Sequence, residues 1–332
     1  MIFRQLFDRD TCTYTYVLGD PRTREAILVD SVNTLAERDA ALLKEMDLKL
    51  VATVETHVHA DHITGAWRLK ALTGCNIVFP ATSGLKGADR LIHHEELLRF
   101  GDLGVKALAT PGHTSTCTSF AAEGLVMTGD ALFVRGCGRT DFQGGSAETL
   151  YDSVWGQILS MPEHTHVYPG HDYKGHTRST VREERAFNPR LGGGRTREDF
   201  VAIMDNLKLD HPRYIKVALP GNRALGRTAE DEEIPGAWNF MARNERGARQ
   251  VGVDWVREHR AELRLVDVRE PEEVQQGHIP GAELVPVGRL GELAPSWERA
   301  EPVVLICRSG VRSDRGAVQL EALGFGRVAS MT

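Results

Sequence analysis

The chain has 332 residues, a formal net charge of −6 at pH 7, and 41% hydrophobic and 26% charged residues. This length is sufficient for two domains, and the composition is ordinary for a globular protein. The negative charge and the lack of Lys/Arg blocks argue against a nucleic-acid partner, and no apolar run is long enough to span a membrane. The amino terminus does not resemble a signal peptide, and five scattered cysteines do not form a disulfide framework, so we expect a cytoplasmic location.

The first part of the chain alternates strand-like and helix-like segments. Short β-branched runs bounded by turn residues predict strands at 13–18, 26–30, 50–54 and 76–79. Apolar residues at helical spacing predict helices at 34–46 and 63–73, the second closed by Gly74. A charged stretch around His93 and His94 is expected to be helical and exposed. Helices between strands predict a layered α/β architecture.

Metal-ligand types of side chain follow four of the predicted strands. The strand at 50–54 runs into His57, His59, Asp61 and His62. Strand-like segments at 103–110, 124–128 and 166–169 run into His113, Asp130 and His171. We expect these strand ends to meet at one edge of a sheet and to bring the side chains together. Imidazole and carboxylate groups at this density predict a metal site.

The second part of the chain predicts a linker and a further α/β module. Helical patterning over 178–209 is followed by a polar, turn-rich stretch at 220–248, to which Trp238 and Phe240 add an apolar docking point. Strands are predicted at 263–268 and 303–306, and a helix at 315–323 ends at Gly324. We therefore expect a first domain at 1–222, a linker at 223–247 and a second domain at 248–332.

The metal-ligand pattern of the first domain resembles the signature of the metallo-β-lactamase superfamily, which implies an αβ/βα sandwich. The Gly-Arg-Thr-Asp-Phe-Gln run at 138–143, the Thr-His-Val-His-Ala-Asp-His run at 56–62 and the segment after His171 are similar to the persulfide dioxygenase family. Enzymes of this family resemble glyoxalase II, but bind one ferrous iron instead of two zinc ions. The implied reaction converts glutathione persulfide, O₂ and water into sulfite and glutathione.

The resemblance also implies roles for individual residues. Fe(II) would be bound by His57, His113 and Asp130, which leaves positions open for the sulfur substrate and O₂. The residues expected to surround these ligands are His59, Asp61, His62 and His171. The glutathione moiety would be held by Arg139 and Tyr173, with help from Arg135. Cys137 would either line the pocket or have a structural role.

A dinuclear zinc hydrolase of the glyoxalase II type is the alternative. In that enzyme a second metal ion would be bound by His59, Asp61, His62 and His171, and a bridging hydroxide would attack a thioester. The spacing of these residues does not show whether one or two metal ions are bound. The run at 138–143 and the short region after His171 favour the dioxygenase.

In the second domain, Cys307 directly follows a strand and begins a small loop that leads into a helix. Backbone N–H groups of such a loop, together with Arg308 and Arg312, would stabilise a thiolate. The loop, the run Leu-Val-Asp-Val-Arg at 265–269 and the run Gly-His-Ile-Pro-Gly-Ala at 277–282 resemble a rhodanese (sulfurtransferase) domain. A phosphatase, the alternative for an isolated Cys-x₅-Arg-type loop, ranks lower because the loop after Cys307 is short, Arg312 comes five positions on and no catalytic acid is evident. Rhodanese domains continue into a final helix, so we expect this domain to be incomplete after Thr332.

The two resemblances together predict a bifunctional enzyme of sulfur metabolism. The rhodanese domain would take sulfane sulfur from thiosulfate onto Cys307 and pass it to glutathione, and the iron domain would oxidise the resulting persulfide. In the alternative, a zinc hydrolase would carry an inactive or regulatory rhodanese module. A homodimer is compatible with the sequence.

Overall fold

The computed structural model describes residues 1–207, 214–227, 238, 241, 243–299 and 301–331. The chain forms two compact units, residues 1–227 and 228–332, and each is described by itself. In the described residues, no helix is both long and apolar enough to cross a membrane.

The first sheet of the first unit contains six strands in sequence order. They are β1 (Ile2–Phe7), β2 (Tyr14–Gly19), β3 (Glu25–Val29), β4 (Lys49–Val54), β5 (Asn76–Pro80) and β6 (Arg90–Ile92). β1 to β3 are antiparallel, and β3 to β6 are parallel. Parallel neighbours need crossover connections, and helices α1 (Ala36–Glu45) and α2 (Ala66–Thr73) provide those from β3 to β4 and from β4 to β5. Leu43 of α1 and Leu69 of α2 pack with Leu28 and Leu50 of the sheet.

The second sheet also has six strands, in the order β12-β11-β10-β9-β8-β7. They are β7 (Leu97–Phe100), β8 (Leu103–Ala109), β9 (Thr118–Ala122), β10 (Leu125–Gly129), β11 (His166–Pro169) and β12 (Ser179–Thr180). Only the pair of β10 and β11 is parallel within these described strands. Helices α3 (Ala147–Ser153), α4 (Val181–Phe187) and α5 (Arg197–Asp205) follow. α4 and α5 begin at capping boxes formed by Thr180 with Glu183 and by Thr196 with Asp199.

The two sheets pack face to face in a common core. Tyr16, Ile27 and Val54 of the first sheet lie in one buried cluster with Phe120 and Met127 of the second. Side chains of α3 and α5 form a separate cluster with Val126 and Val167 on the outer face of the second sheet, while α1 and α2 cover the outer face of the first. The unit is therefore the predicted αβ/βα sandwich.

The stretch predicted to open the linker is in part helical. α6 (Ile215–Arg223) contains Pro220 and Gly221, two residues with low helix preference. Its buried Asn222 makes tertiary hydrogen bonds. These hydrogen bonds stabilise the helix and compensate for the low helix preference of Pro220 and Gly221. Trp238 is buried among residues of the second unit. Phe240, the other residue of the predicted docking point, lies outside the described residues.

The second unit has a five-stranded parallel sheet in the order β13-β17-β16-β14-β15. Its strands are β13 (Gln250–Val251), β14 (Arg264–Asp267), β15 (Glu283–Leu284), β16 (Val303–Ile306) and β17 (Val328–Met331). Its described helices are α7 (Val253–Glu258), α8 (Pro271–Val274), α9 (Leu290–Leu293) and α10 (Val311–Ala322). Val303 and Leu305 of β16 enter one core cluster, whereas Val304 and Ile306 enter another. Both faces of the sheet are therefore covered, as is typical of parallel sheets.

Candidate metal centre and sulfur-transfer loop

The candidate metal centre lies where four strands of the first unit end. β4 is followed by the run at 55–62, β8 by His113, β10 by Asp130 and β11 by His171. Backbone geometry brings these segments close together. A Cβ on Gly129 would lie 2.5 Å from Thr56 Oγ1, and a Cβ on Gly170 would lie 2.6 Å from Asp130 Oδ1. Only glycine fits at these two positions.

His57, His113 and Asp130 form the first group of possible ligands. Each offers a ligand atom, and these atoms all lie within 4.8 Å of one another. All three residues are buried, and His113 Nε2 lies 3.5 Å from Asp130 Oδ2. The structure thus brings together the residues that the sequence predicts as iron ligands.

Hydrogen bonds orient both histidines for metal binding. Nδ1–H of His113 donates to the carbonyl oxygen of Arg139 at 2.7 Å, which leaves Nε2 with its lone pair. Thr56 Oγ1 donates to Asp30 Oδ2 at 2.8 Å, so it accepts from His57 Nδ1–H at 3.0 Å. Burial and the neighbouring His59 lower the pKa of His57 well below its usual value. A neutral imidazole with a free Nε2 is the form that binds a metal ion.

The donor set fits one divalent cation. Asp130 Oδ1 is buried and accepts no hydrogen bond within the described residues. An uncompensated buried carboxylate oxygen is costly unless a cation or a donor faces it. Two histidines and one carboxylate with open positions are typical of non-haem Fe(II) sites.

A second group of possible ligands adjoins the first. His59, Asp61 and His62 also offer ligand atoms within 4.8 Å of one another. His62 Nδ1 lies 3.0 Å from Asp61 Oδ2. His171 Nε2 lies 3.5 Å from Asp61 Oδ2 and 3.6 Å from Asp130 Oδ1. Asp61 and His171 thus connect the second group to the first.

Two buried carboxylates behind the centre were missed at the sequence level. His59 Nε2 lies 3.2 Å from both Asp30 Oδ1 and Glu55 Oε2. Burial lowers the pKa of His59, but the two carboxylates outweigh it and raise the pKa well above its usual value. Their position in the sequence could have identified them, because Asp30 directly follows β3 and Glu55 directly follows β4.

Asn222 of α6 is a second residue that sequence reasoning missed. Its side-chain amide donates to the carbonyl oxygens of His59 and His62 at 2.9 and 2.7 Å. Its Oδ1 accepts from the backbone N–H of Thr64 at 2.8 Å. One buried side chain therefore fixes the backbone of the histidine-rich loop at three points.

An open cavity of about 430 Å³ lies over the candidate metal centre. Besides the histidines, Asp61 and Asp130 of the two ligand groups, the charged and aromatic residues around it are Phe133, Arg135, Arg139, Phe142, Asp172, Tyr173, Lys174 and Arg190. Tyr173 is 68% exposed, and its ring stacks on His171 with a centroid distance of 5.9 Å. Lys174 and Arg190 were not among the predicted site residues. The cavity therefore presents cations and an aromatic surface around the metal ligands.

The three arginines of the cavity wall, of which Arg139 and Arg135 were predicted glutathione contacts, have different partners in the structure. Arg139 lies over Phe142 at 4.6 Å from the ring centroid and pairs with Asp141 at 2.6 Å. The Arg135 guanidinium pairs with the buried carboxylate of Glu184. Arg190 Nη1 donates to the carbonyl oxygen of Cys137 at 3.0 Å.

Cys137 both lines the cavity and packs in the protein interior. It is among the residues of the cavity wall, and its Sγ lies 3.9 Å from the sulfur of Met204. Burial raises the pKa of the Cys137 thiol to about 11. The sulfur is therefore a neutral thiol at physiological pH, not a nucleophile.

In the second unit, Cys307 follows β16 and faces an open cavity. The cavity is lined by Asp267, Arg269, Gly277, His278, Ile279, Ile306 and Met331 in addition to Cys307. Burial raises the pKa of the Cys307 thiol, but hydrogen bonds from the Ser313 hydroxyl and from the backbone N–H groups of Ser309, Arg312 and Ser313 outweigh it. The net pKa is below the ordinary value of 9.0. The loop thus has the anion-binding geometry predicted for a reactive cysteine.

The two arginines of the loop are in different situations. Arg312 forms a bidentate pair with Glu273 of α8 at 2.6 and 2.7 Å. Arg308 is exposed. Arg269, which lies outside the loop, is paired like Arg312, in its case with Asp267 at 2.6 Å. Arg308 therefore faces solvent, whereas Arg312 ties the loop to α8.

Comparisons with known proteins agree with this architecture. The sequence profile of the Metallo-beta-lactamase superfamily matches residues 10–171, and that of the Rhodanese-like domain matches residues 252–332. The mitochondrial persulfide dioxygenase ETHE1 of Mus musculus is 48% identical over 229 residues, which cover 68% of this chain and 89% of the mouse protein. The crystal structure of ETHE1 from Myxococcus xanthus covers 68% of this chain and 100% of that chain, at 47% identity and a TM-score of 0.67.

A metallo-β-lactamase from Staphylococcus aureus covers 100% of this chain and 98% of its own, with a TM-score of 0.63 and 21% identity. At that identity the likeness shows a shared fold alone. Fold and site thus define a metallo-β-lactamase-type enzyme with a candidate metal centre and an added rhodanese-like domain. The chain belongs to the persulfide dioxygenase family. The predicted fold class and both resemblances are confirmed, and the relatives support dioxygenase activity and a role in sulfur metabolism.

Proposed function

We propose that this chain oxidises glutathione persulfide with O₂ and also transfers sulfur from thiosulfate to glutathione. In the oxidation, one glutathione persulfide, one O₂ and one water give one glutathione, one sulfite and two protons. The observation that carries this proposal is that His57, His113 and Asp130 offer ligand atoms within 4.8 Å of one another beside an open cavity. The Cys307 loop in the second unit supports the sulfur-transfer half.

His57, His113 and Asp130 would hold a single Fe(II). When bound there, the iron supplies the redox chemistry that lets O₂ react with a sulfur substrate. The surrounding residues position these ligands. His113 is oriented by the carbonyl oxygen of Arg139, and His57 is oriented by Thr56.

His171 would keep a proton between two carboxylates. Its Nδ1–H donates to the carbonyl oxygen of Cys12 at 3.3 Å, so its Nε2 faces Asp61 and Asp130. Burial lowers the pKa of His171, but Asp130 and Asp61 outweigh it and raise the pKa above its usual value. A protonated Nε2 would stabilise the negative charge of both carboxylates through its own positive charge.

The cavity over the centre would bind the glutathione moiety. Glutathione carries two carboxylates, and Lys174, Arg139 and Arg190 line the cavity. Arginine binds carboxylates through a planar, bidentate fork. Binding through Arg139 would compete with its Asp141 pair, whereas Tyr173 offers an exposed ring and hydroxyl at the cavity wall. Arg135 would act indirectly through the segment that it holds against Glu184.

In the rhodanese-like domain, the thiolate of Cys307 would attack the outer sulfur of thiosulfate. Sulfite would leave with the electron pair of the broken S–S bond, and Cys307 would hold a persulfide. A glutathione thiolate would then attack the outer sulfur and release glutathione persulfide and the Cys307 thiolate. The N–H groups that point at Sγ stabilise the thiolate in both steps.

Metal analysis tests the oxidation half most directly. Protein loaded with Fe(II) under anaerobic conditions is expected to retain one iron per chain and to consume one O₂ per glutathione persulfide, with sulfite as product. A dinuclear zinc hydrolase remains the second candidate, because His59, Asp61 and His62 also lie within ligand distance of one another. Two zinc ions per chain with thioester hydrolysis and no O₂ uptake would establish that candidate instead.

The sulfur-transfer half has its own test. Thiosulfate is expected to add one sulfur atom to the peptide that contains Cys307, which mass spectrometry measures. An unchanged mass would mean that the rhodanese-like domain is inactive or regulatory.

A further inference from the structure

The hydroxyl of Ser313 touches the sulfur of Cys307 from inside the protein. Ser313 lies in the first turn of α10, and its Oγ is 3.3 Å from Cys307 Sγ. Ser313 is fully buried and is not part of the cavity wall at Cys307. Its contact with Sγ is therefore made from the side opposite to solvent.

The Ser313 hydroxyl can donate its proton to either of two acceptors. Ser330 of β17 donates to Ser313 Oγ at 2.8 Å, which occupies one lone pair and leaves the Ser313 proton free to be donated. The acceptors within reach are the carbonyl oxygen of Gly310 at 3.0 Å and Cys307 Sγ at 3.3 Å. A hydroxyl donates one hydrogen bond at a time, and a charged acceptor forms the stronger one. The charge on Sγ therefore decides which bond forms.

We propose that Ser313 is a catalytic residue of the rhodanese-like domain, whose hydroxyl donates to Cys307 Sγ whenever that sulfur carries the negative charge. This inference rests on the proposed sulfur transfer. Before the first step, Ser313 stabilises the attacking thiolate. When the bond from Sγ to the sulfane sulfur has formed and sulfite has left with its electron pair, the charge lies on the outer sulfur, and the Ser313 proton turns to Gly310.

In the second step the direction reverses. The acceptor thiolate forms a bond to the outer sulfur, the Sγ–S bond breaks, and Sγ leaves with the electron pair. Ser313 then donates to Sγ again and stabilises the leaving group. One hydroxyl thus assists the attacking thiolate of the first step and the leaving thiolate of the second.

The effect of the Ser313 hydroxyl on the Cys307 thiol can be separated from the effect of the other charges nearby. The titratable and charged groups around this site are Asp267, Arg269, Glu270, Glu273, His278, Arg308, Arg312 and, behind Ser330, Asp314. Two of the arginines are held in ion pairs, with Asp267 and Glu273. Asp314 accepts from Gln250, Asn244 and Arg246. Removal of the Ser313 hydroxyl leaves these pairs in place.

The test is the pH dependence of alkylation of Cys307 in the full-length chain. Iodoacetamide labelling of the Cys307 peptide is measured by mass spectrometry from about pH 5 to about pH 10 for the parent and for Ser313→Ala. We expect the half-maximal pH to rise by about one unit, so that labelling is about tenfold slower at low pH. At high pH, where all of the thiol is ionised, the two rates should agree. An unshifted curve, or a rate lowered equally at every pH, would overturn the proposal.

Ser330→Ala provides a matched control. It removes a buried serine from the same network but keeps the Ser313–Cys307 contact, so we expect the parent curve. A shift as large as that of Ser313→Ala would also overturn the proposal, because it would assign the effect to packing. Thiosulfate loading of the parent is measured separately, and its failure would refute sulfur transfer without any bearing on the alkylation curve.

Discussion

Asn222→Ala should weaken both the fold of the first unit and its affinity for metal. The substitution removes two donated hydrogen bonds and one accepted hydrogen bond from the loop that carries His57, His59 and His62. Each loss leaves a buried backbone group without this partner, which costs about 1 kcal/mol or more. We therefore expect a decrease of about 3 kcal/mol in the free energy of unfolding of this unit.

The assay combines urea unfolding with metal analysis. Unfolding is followed by intrinsic fluorescence, and bound iron is measured after dialysis against a chelator. Asn206→Ala is the matched control, because Asn206 is exposed and its side chain donates to the carbonyl oxygen of Ala202 at 2.8 Å, its one side-chain hydrogen bond among the described residues. It should change the stability by less than about 0.5 kcal/mol. If Asn222→Ala unfolds like this control and keeps its metal, Asn222 does not hold the loop.

The two proposed sites should fail independently. His113→Ala removes a ligand whose Nε2 faces Asp130, so we expect loss of bound iron and of O₂ uptake, while thiosulfate still loads Cys307. Cys307→Ser should abolish sulfur loading but leave O₂ uptake with supplied glutathione persulfide at the parent rate. A variant that loses both activities while it remains folded would contradict separate sites.

Much of the fold follows from local sequence patterns. The strand before the histidine cluster was predicted at 50–54 and forms at Lys49–Val54, because a β-branched run in a parallel sheet is buried on both faces. The prediction of a helix around His93 and His94 was wrong. These residues are exposed, as expected, but they lie between β6 and β7. β6 and β7 have three and four residues, which is too short to show a periodicity in the sequence. Pairing with neighbouring strands determines that they form.

The residues that sequence reasoning missed act over long distances in the chain. Asn222 contacts a loop 160 residues away, and its neighbours Pro220 and Gly221 are typical of a turn. The Arg312–Glu273 pair spans 39 residues, so the sequence shows the charge of Arg312 but not its partner. Strand ends reveal which ligand types converge, whereas the orientation of each histidine depends on partners such as Thr56 and Arg139 that only the folded chain brings near.

The most direct test of a bifunctional enzyme uses thiosulfate alone as the sulfur source. Iron-loaded protein is supplied with thiosulfate and a small amount of glutathione in an oxygen electrode. If Cys307 produces glutathione persulfide and the metal site consumes it, glutathione is regenerated, and each thiosulfate should consume one O₂ and yield two sulfites. Oxygen uptake with added glutathione persulfide but none with thiosulfate and glutathione would contradict the account.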